Sequence, residues 1–234
     1  MKKCTTCMVI CLLLLSVNHA KADLSLTAVD GVWSDPVGPP AALSTVSYDN
    51  GVGVGYGNGL QDQIRWGTPH STGNGQKSGL GFTGIAPPPD TIVIGNAFEI
   101  GQLTHFNNAI NSGTAITEVD LTIVLTFSAP ESFLFTFGIN ETPNTTGTSA
   151  DDDIISFPSS YPEDTFEISG VLYTLQLLGF GSDPLNPLSE FQSSEGGTNN
   201  TLLWGSIEIV PVPSAVLLGI IGLSVAGVKL RKHA

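Results

Sequence analysis

Two short stretches of this chain hold the residue types that chemistry needs. In FEIGQLTHFNNAI, Phe98 to Ile110, His105 stands between Thr104 and Asn107. In ETPNTTGTSADDDIISF, Glu141 is followed by the run Asp151, Asp152 and Asp153. An oxygen-rich loop of that kind suits calcium, a hard cation, although the EF-hand spacing is absent. Crowded carboxylates repel one another, and a bound divalent ion would order them. Without an ion the run reads as a solvated loop. Thr104 and Asn107 suit a tight turn through side-chain to backbone hydrogen bonds, with His105 bracing a neighbouring carbonyl. The strand carrying them is expected to end near Thr104. As a metal ligand, His105 has no second ligand close to it in sequence.

Little else in the chain has catalytic spacing. His70 is the one other histidine between the two termini. There is no Gly-x-Ser-x-Gly elbow, no phosphate loop and no His-Glu-x-x-His pair. GLGFTG, Gly79 to Gly84, matches the dinucleotide glycine pattern, but Ile85-Ala86-Pro87-Pro88-Pro89 follows it. A helix N-terminus is needed there to hold a pyrophosphate, and that sequence cannot start one. The stretch is expected to be a turn. A carboxylate pair for glycoside hydrolysis is defined by separation in space, so no sequence spacing identifies one. The expectation is a protein that is not an enzyme.

The elements that would position these residues read as strands. SFLFTFGINET, Ser132 to Thr142, alternates with Phe133, Phe135 and Phe137 on one face and Leu134, Thr136 and Gly138 on the other. TEVDLTIVLTFS precedes it, joined through Ala129-Pro130-Glu131 in the manner of a hairpin. DTFEISG leads through a glycine into VLYTLQLLGF, and TLLWGSIEIV is the last strand. Glycine (27) and proline (15) are abundant, which favours many turns over long helices. No amphipathic helix longer than two turns is visible. Residues 49–90 read as looser, glycine-rich and proline-rich. The fold expected is all-β, an antiparallel sandwich of jelly-roll type. Trp33, Trp66 and Trp204 are expected mainly in its core, although they could also serve as stacking platforms.

Both termini differ from this body. Lys2 and Lys3, the apolar run Met8 to Val17 and Ala20-Lys21-Ala22 have the order of a secretory signal, with cleavage after Ala22. All three cysteines, Cys4, Cys7 and Cys11, lie inside it. The body therefore has no disulfide, thiol nucleophile or zinc-thiolate site. Between Asp23 and Val228 the only basic residues are Arg65 and Lys77, against all 21 acids. That balance disfavours nucleic acid and anionic lipid as partners. At the other end, Ala215 to Val228 is a short apolar helix containing several glycines, marginal as a lasting membrane span. Lys229, Arg231 and Lys232 would hold its end in the cytoplasm. Three regions follow: signal 1–22, β domain 23–209 and tail 210–234.

VPVPSAVLLGIIGLSVAGVKLRK resembles the PEP-CTERM sorting signal of Gram-negative bacteria. Val210, Pro211 and Pro213 stand for its motif, followed by the hydrophobic helix and the basic end. The body resembles the THxN subgroup, or choice-of-anchor K domain. The residues that carry this are Trp66-Gly67, Ser78-Gly79-Leu80, Thr104-His105-x-Asn107, Glu141 to Asn144, the Asp151 to Asp153 run and YTLQLLGF. The resemblance implies signal peptidase and exosortase as partners, transient membrane contact through the tail, and delivery to the cell surface or extracellular matrix. The leading expectation is a non-enzymatic surface or biofilm-matrix protein. The alternative is a carbohydrate-binding or adhesive module contacting extracellular polysaccharide, and the third is a secreted carboxylate-dependent hydrolase. No cofactor is expected beyond Ca2+ at Glu141, Asp151, Asp152 and Asp153.

Overall fold

Alternation of apolar and polar residues organises the described part of the chain into twelve strands. The computed structural model describes residues 24–52, 60–142, 149–156 and 164–211. The strands are β1 (Ala28–Val37), β2 (Ser47–Val52), β3 (Gln61–Trp66), β4 (Ser78–Gly84), β5 (Ala97–Asn107) and β6 (Glu118–Thr126). They continue with β7 (Pro130–Asn140), β8 (Asp153–Ser156), β9 (Phe166–Ile168), β10 (Val171–Phe180), β11 (Glu190–Ser193) and β12 (Gly197–Ile209). A single short helix, α1 (Pro40–Leu43), and a 3-10 turn at Ser149–Asp151 complete the described elements. All pairings are antiparallel, in two sheets ordered β1-β6-β7-β8-β11 and β2-β3-β4-β5-β12-β10-β9. The chain is an all-β sandwich, as its strand patterning implies.

The hairpin joining β6 and β7 forms, but its turn is Phe127-Ser128-Ala129 rather than Ala129-Pro130-Glu131: Pro130 and Glu131 already pair, opposite Thr126 and Leu125, and Leu121 lies opposite Phe135. Phe133, Phe135 and Phe137 all point into the core, while Leu134 on the opposite face is 45% exposed. The second hairpin turns at Ser169 and Gly170, both at positive φ (54° and 81°), which a two-residue turn of this hand requires. Rings pack within and between the sheets: Trp33 meets Phe137 at 6.2 Å within one sheet, while Phe137 meets Phe180 at 6.1 Å and Phe180 meets Phe191 at 6.2 Å across the two. Each fully buried side chain of this size contributes about 1.5–3 kcal/mol. The cysteine-free body is therefore held by burial and ladder hydrogen bonds. Trp33 and Trp66 are core residues whose indole N–H groups find acceptors at Asp62 O (3.0 Å) and Glu141 Oε1 (2.7 Å). Trp204 is half-buried and donates to Gly181 O.

Three other local expectations are corrected. Strand β5 does not end near Thr104 but runs through His105 to Asn107. GLGFTG is not a turn: with Ser78 it forms strand β4, buried along its length. Its glycines are positions of close approach. A Cβ on Gly79 would lie 2.4 Å from the Arg65 Cδ, and one on Gly81 would lie 2.6 Å from the Gln61 Cδ. The described residues of 49–90 are also more ordered than their composition suggests, because β3, β4 and most of β2 fall among them.

Residues 1–23, which include the segment read as a signal, and the tail beyond Pro211, with Pro213, Lys229, Arg231 and Lys232, lie outside the described residues. Among the described residues no helix is long and apolar enough to cross a membrane. The sheet ends where the tail begins. The Val210 N–H donates to Leu172 O at 2.9 Å, and the next residue, Pro211, is exposed and has no N–H to continue the ladder.

Candidate functional site

At one end of the sandwich the inward-facing rows change from apolar to polar. On β7 the inward positions run Phe133, Phe135, Phe137, Ile139, and the next in the period of two is Glu141. On β8 the row is Ile155 then Asp153, and on β11 it is Phe191 then Ser193. The ladder joins these strands directly: Asn140 pairs with Ile154, and Asp153 with Ser193. From the facing sheet come Leu103, His105 and Asn107 on β5, Trp66 on β3 and Ser78 on β4. The change occurs toward the same end in β5, β7, β8 and β11, so their polar groups meet between the sheets.

His105 is fully buried. Its ring lies against Trp66 with centroids 6.3 Å apart and planes 23° apart. Its Nδ1 is 2.7 Å from the Ser193 hydroxyl, which also accepts from Asn199 Nδ2 at 2.9 Å. Asn107 Nδ2 donates to Ser193 O at 2.8 Å. The His-x-Asn part of the motif thus ties β5 in one sheet to β11 in the other, rather than shaping a turn. Burial, and secondarily the Arg65 guanidinium, push the His105 pKa down to about 3, so the imidazole is neutral.

Thr104 faces the other way. Its hydroxyl accepts from Gln61 Nε2 at 2.9 Å and donates to Asn200 Oδ1 at 2.8 Å. Gln63 donates to Gln61, and Arg65 Nε to Gln63, completing a polar row across the outer face of the sheet. The Arg65 guanidinium sits 3.3 Å over the Phe106 ring. The three motif residues therefore serve two different faces.

The acids do not form the solvated loop expected of them. Asp153 is fully buried and Asp151 nearly so. Glu141 Oε1 accepts from Trp66 Nε1 at 2.7 Å, and Asp153 Oδ1 from the Thr142 N–H at 2.7 Å. The Thr142 hydroxyl closes the loop by donating to Asp151 O. Burial pushes both carboxyl groups above the usual range. For Asp153, burial comes first and the adjacent Glu141 charge adds to it, reaching about 8. Of the four acids considered for calcium, Glu141 and Asp153 come together with His105 among the described residues. One ligand atom from each of His105, Glu141 and Asp153 lie within 4.8 Å of one another. Asp152 instead lines a cleft of about 650 Å³ with Asn74, Asn108, Asp151 and Glu195. A second cleft, about 370 Å³, lies beside it and reaches Glu141 past His70 and Asn108.

Among the described residues, His105 Nε2 and Asn107 Oδ1 are buried without a hydrogen-bond partner, and Asp153 Oδ2 has none unless a proton is shared with the neighbouring Glu141 carboxyl. Each such atom costs about 1–3 kcal/mol if nothing meets it. Chemically the cluster can do two things. Glu141 and Asp153 can share one proton, or the three side chains can hold a cation. The complete burial of Asp153 argues against this pair flanking a sugar for hydrolysis.

The partnership of His105 with residues 36 and 48 positions further along the chain has no local spacing to reveal it. The available signal was parity: continuing the β7 alternation by one step turns Glu141 inward. Compared with known proteins, the chain matches no family model and no curated sequence.

Proposed function

We propose that this chain is an exported, non-enzymatic surface or matrix module of a Gram-negative bacterium, sorted through its C-terminal segment by an exosortase. The carrying observation is the order of Val210, Pro211 and Pro213, the short apolar run, and Lys229, Arg231 and Lys232. The architecture supports it. The last ladder bond is made by Val210, so cutting after the motif would leave every described strand in place. The acidic, cysteine-free body suits a protein that is exported and then stays soluble and independent of redox conditions. Signal peptidase would cut after Ala22, and the membrane would be contacted only while the tail remains.

Intact mass and cell fractionation in the native host test this. The mature protein is expected to begin at Asp23 and to lack the segment after about Pro213. A host without exosortase is expected to retain the uncut chain in its inner membrane. Extracellular protein carrying the whole tail would contradict the proposal.

One feature favours a second reading, contact with extracellular polysaccharide. The larger cleft is rimmed by Asn74, Asn108, Asp151, Asp152 and Glu195, side chains suited to sugar hydroxyls. A glycan array is the test: binding lost in Asn108→Ala supports it, and a blank array removes it.

A further inference from the structure

We propose that His105, Glu141 and Asp153 form a binding site for a divalent transition-metal ion of the zinc class, closed between the two sheets. This goes beyond the reading of the chain as an exported module and does not depend on it.

Three observations carry the inference. The first is convergence: β5, the end of β7 and β8 place one ligand atom each within 4.8 Å of the others. An ion bound at about 2.1 Å by a tetrahedral set needs those atoms roughly 3.4 Å apart, a contraction that side-chain rotation can supply. The second is that the groups are already oriented through their other atoms. His105 is fixed through Nδ1 by Ser193, Glu141 through Oε1 by Trp66, and Asp153 through Oδ1 by the Thr142 N–H. Supports of this kind are what hold metal ligands in position. The third is what remains. His105 Nε2, on a side chain with no solvent exposure, has no hydrogen-bond partner among the described residues, and Asp153 Oδ2 can be met by the neighbouring Glu141 carboxyl only through a shared proton. A cation satisfies both at once.

The donor set chooses the ion. Calcium takes about six to eight oxygen ligands, and a neutral imidazole nitrogen is a poor substitute for one. A set of one imidazole and two carboxylates suits zinc, manganese, iron or cobalt. Burial opposes charge on both carboxyl groups, and a divalent ion in place of a proton would remove their mutual repulsion. The smaller cleft has Glu141 and Thr142 in its wall and so reaches the edge of the site.

The test uses the purified full chain with Cys4, Cys7 and Cys11 alkylated, so that their thiolates take no zinc, stripped with a chelator that is then removed. Titration with Zn2+ is expected to give one ion per chain by calorimetry and a melting midpoint raised by several degrees. Co2+ is expected to give ligand-field absorption bands and to quench Trp66 fluorescence. Asp153→Asn keeps the shape of the side chain and removes its charge, so it should fold. It is expected to weaken zinc binding by at least about tenfold, as is His105→Gln. Three results would overturn the proposal. One is the absence of stoichiometric zinc binding. Another is undiminished binding in folded Asp153→Asn. The last is a midpoint raised as far by Ca2+ as by Zn2+, which would reduce the effect to screening or to oxygen-only ligation.

Discussion

The centre of the sandwich and its polar end are built from the same strands, a few residues apart. On β7, Phe137 is packed against Trp33 and Phe180, whereas Glu141, four residues later on the same face, accepts a bond from Trp66. The centre gains stability from every group it encloses. The end encloses two acids and a histidine, and no group among the described residues meets the buried His105 Nε2. Burial at the centre is its own reward; burial at the end is justified by something the end can hold. The difference teaches that the strand framework sets which residues face inward, and that composition at each level then decides whether the level stabilises or binds.

The largest expected effect breaks the centre. Phe135→Ala should cost about 3–5 kcal/mol in chemical denaturation, because Phe135 is 1% exposed and its cavity cannot be filled by water-compatible groups. Zinc should not rescue it selectively.

The next prediction concerns the end, in metal-free protein. Asp153 has a folded-state pKa raised to about 8, so its contribution is fully present below its unfolded value and lost as pH rises through the folded one. His105 has the opposite sign. Its pKa is lowered to about 3, so its contribution is present above its unfolded value of 6.5 and lost as pH falls. The two slopes oppose each other between about pH 4 and 6.5. Above that the carboxyl groups act alone, and stability should fall as pH rises from 6.5 to about 8. Asp153→Asn should flatten that fall and stabilise the metal-free chain at pH 8, by an amount on the order of 1–3 kcal/mol. Denaturant midpoints across pH check both statements.

A smaller effect separates the two faces of β5. Thr104→Val removes a hydroxyl bonded to Gln61 and Asn200, and should cost about 1–2 kcal/mol while leaving zinc affinity unchanged. Zinc affinity that fell in parallel with the His105 variants would join the two faces into one site.

How far the sequence shows all this depends on the strand. Where one face is wet, as on β7, alternation displays the core row directly. Where both faces are covered, the signal disappears. Thr104 and His105 are both buried, and a strand covered on both sides reads as an end or a turn. In β4 the glycines that make GLGFTG look like a turn are the ones that let Arg65 and Gln61 lie across the sheet. The acidic run looked like one feature because its members are adjacent. Parity divides it: Asp153 turns inward to Glu141, and Asp152 faces the cleft. Joining His105 to them required the register of two sheets, which no local pattern contains.

The smallest expected effect tests that division. Asp152→Asn should change stability by no more than about 0.5 kcal/mol and leave zinc binding intact. A loss comparable with that of Asp153→Asn, read by the same titration, would move the site out into the cleft.

The most direct test of the central claim is a crystal of the zinc-loaded protein, with an anomalous difference map at the zinc edge. The account predicts a single peak between the sheets, about 2.0–2.2 Å from His105 Nε2 and from one oxygen each of Glu141 and Asp153. An empty map there, with the two carboxyl groups in hydrogen-bonding contact, would show that the polar end holds a shared proton and no metal.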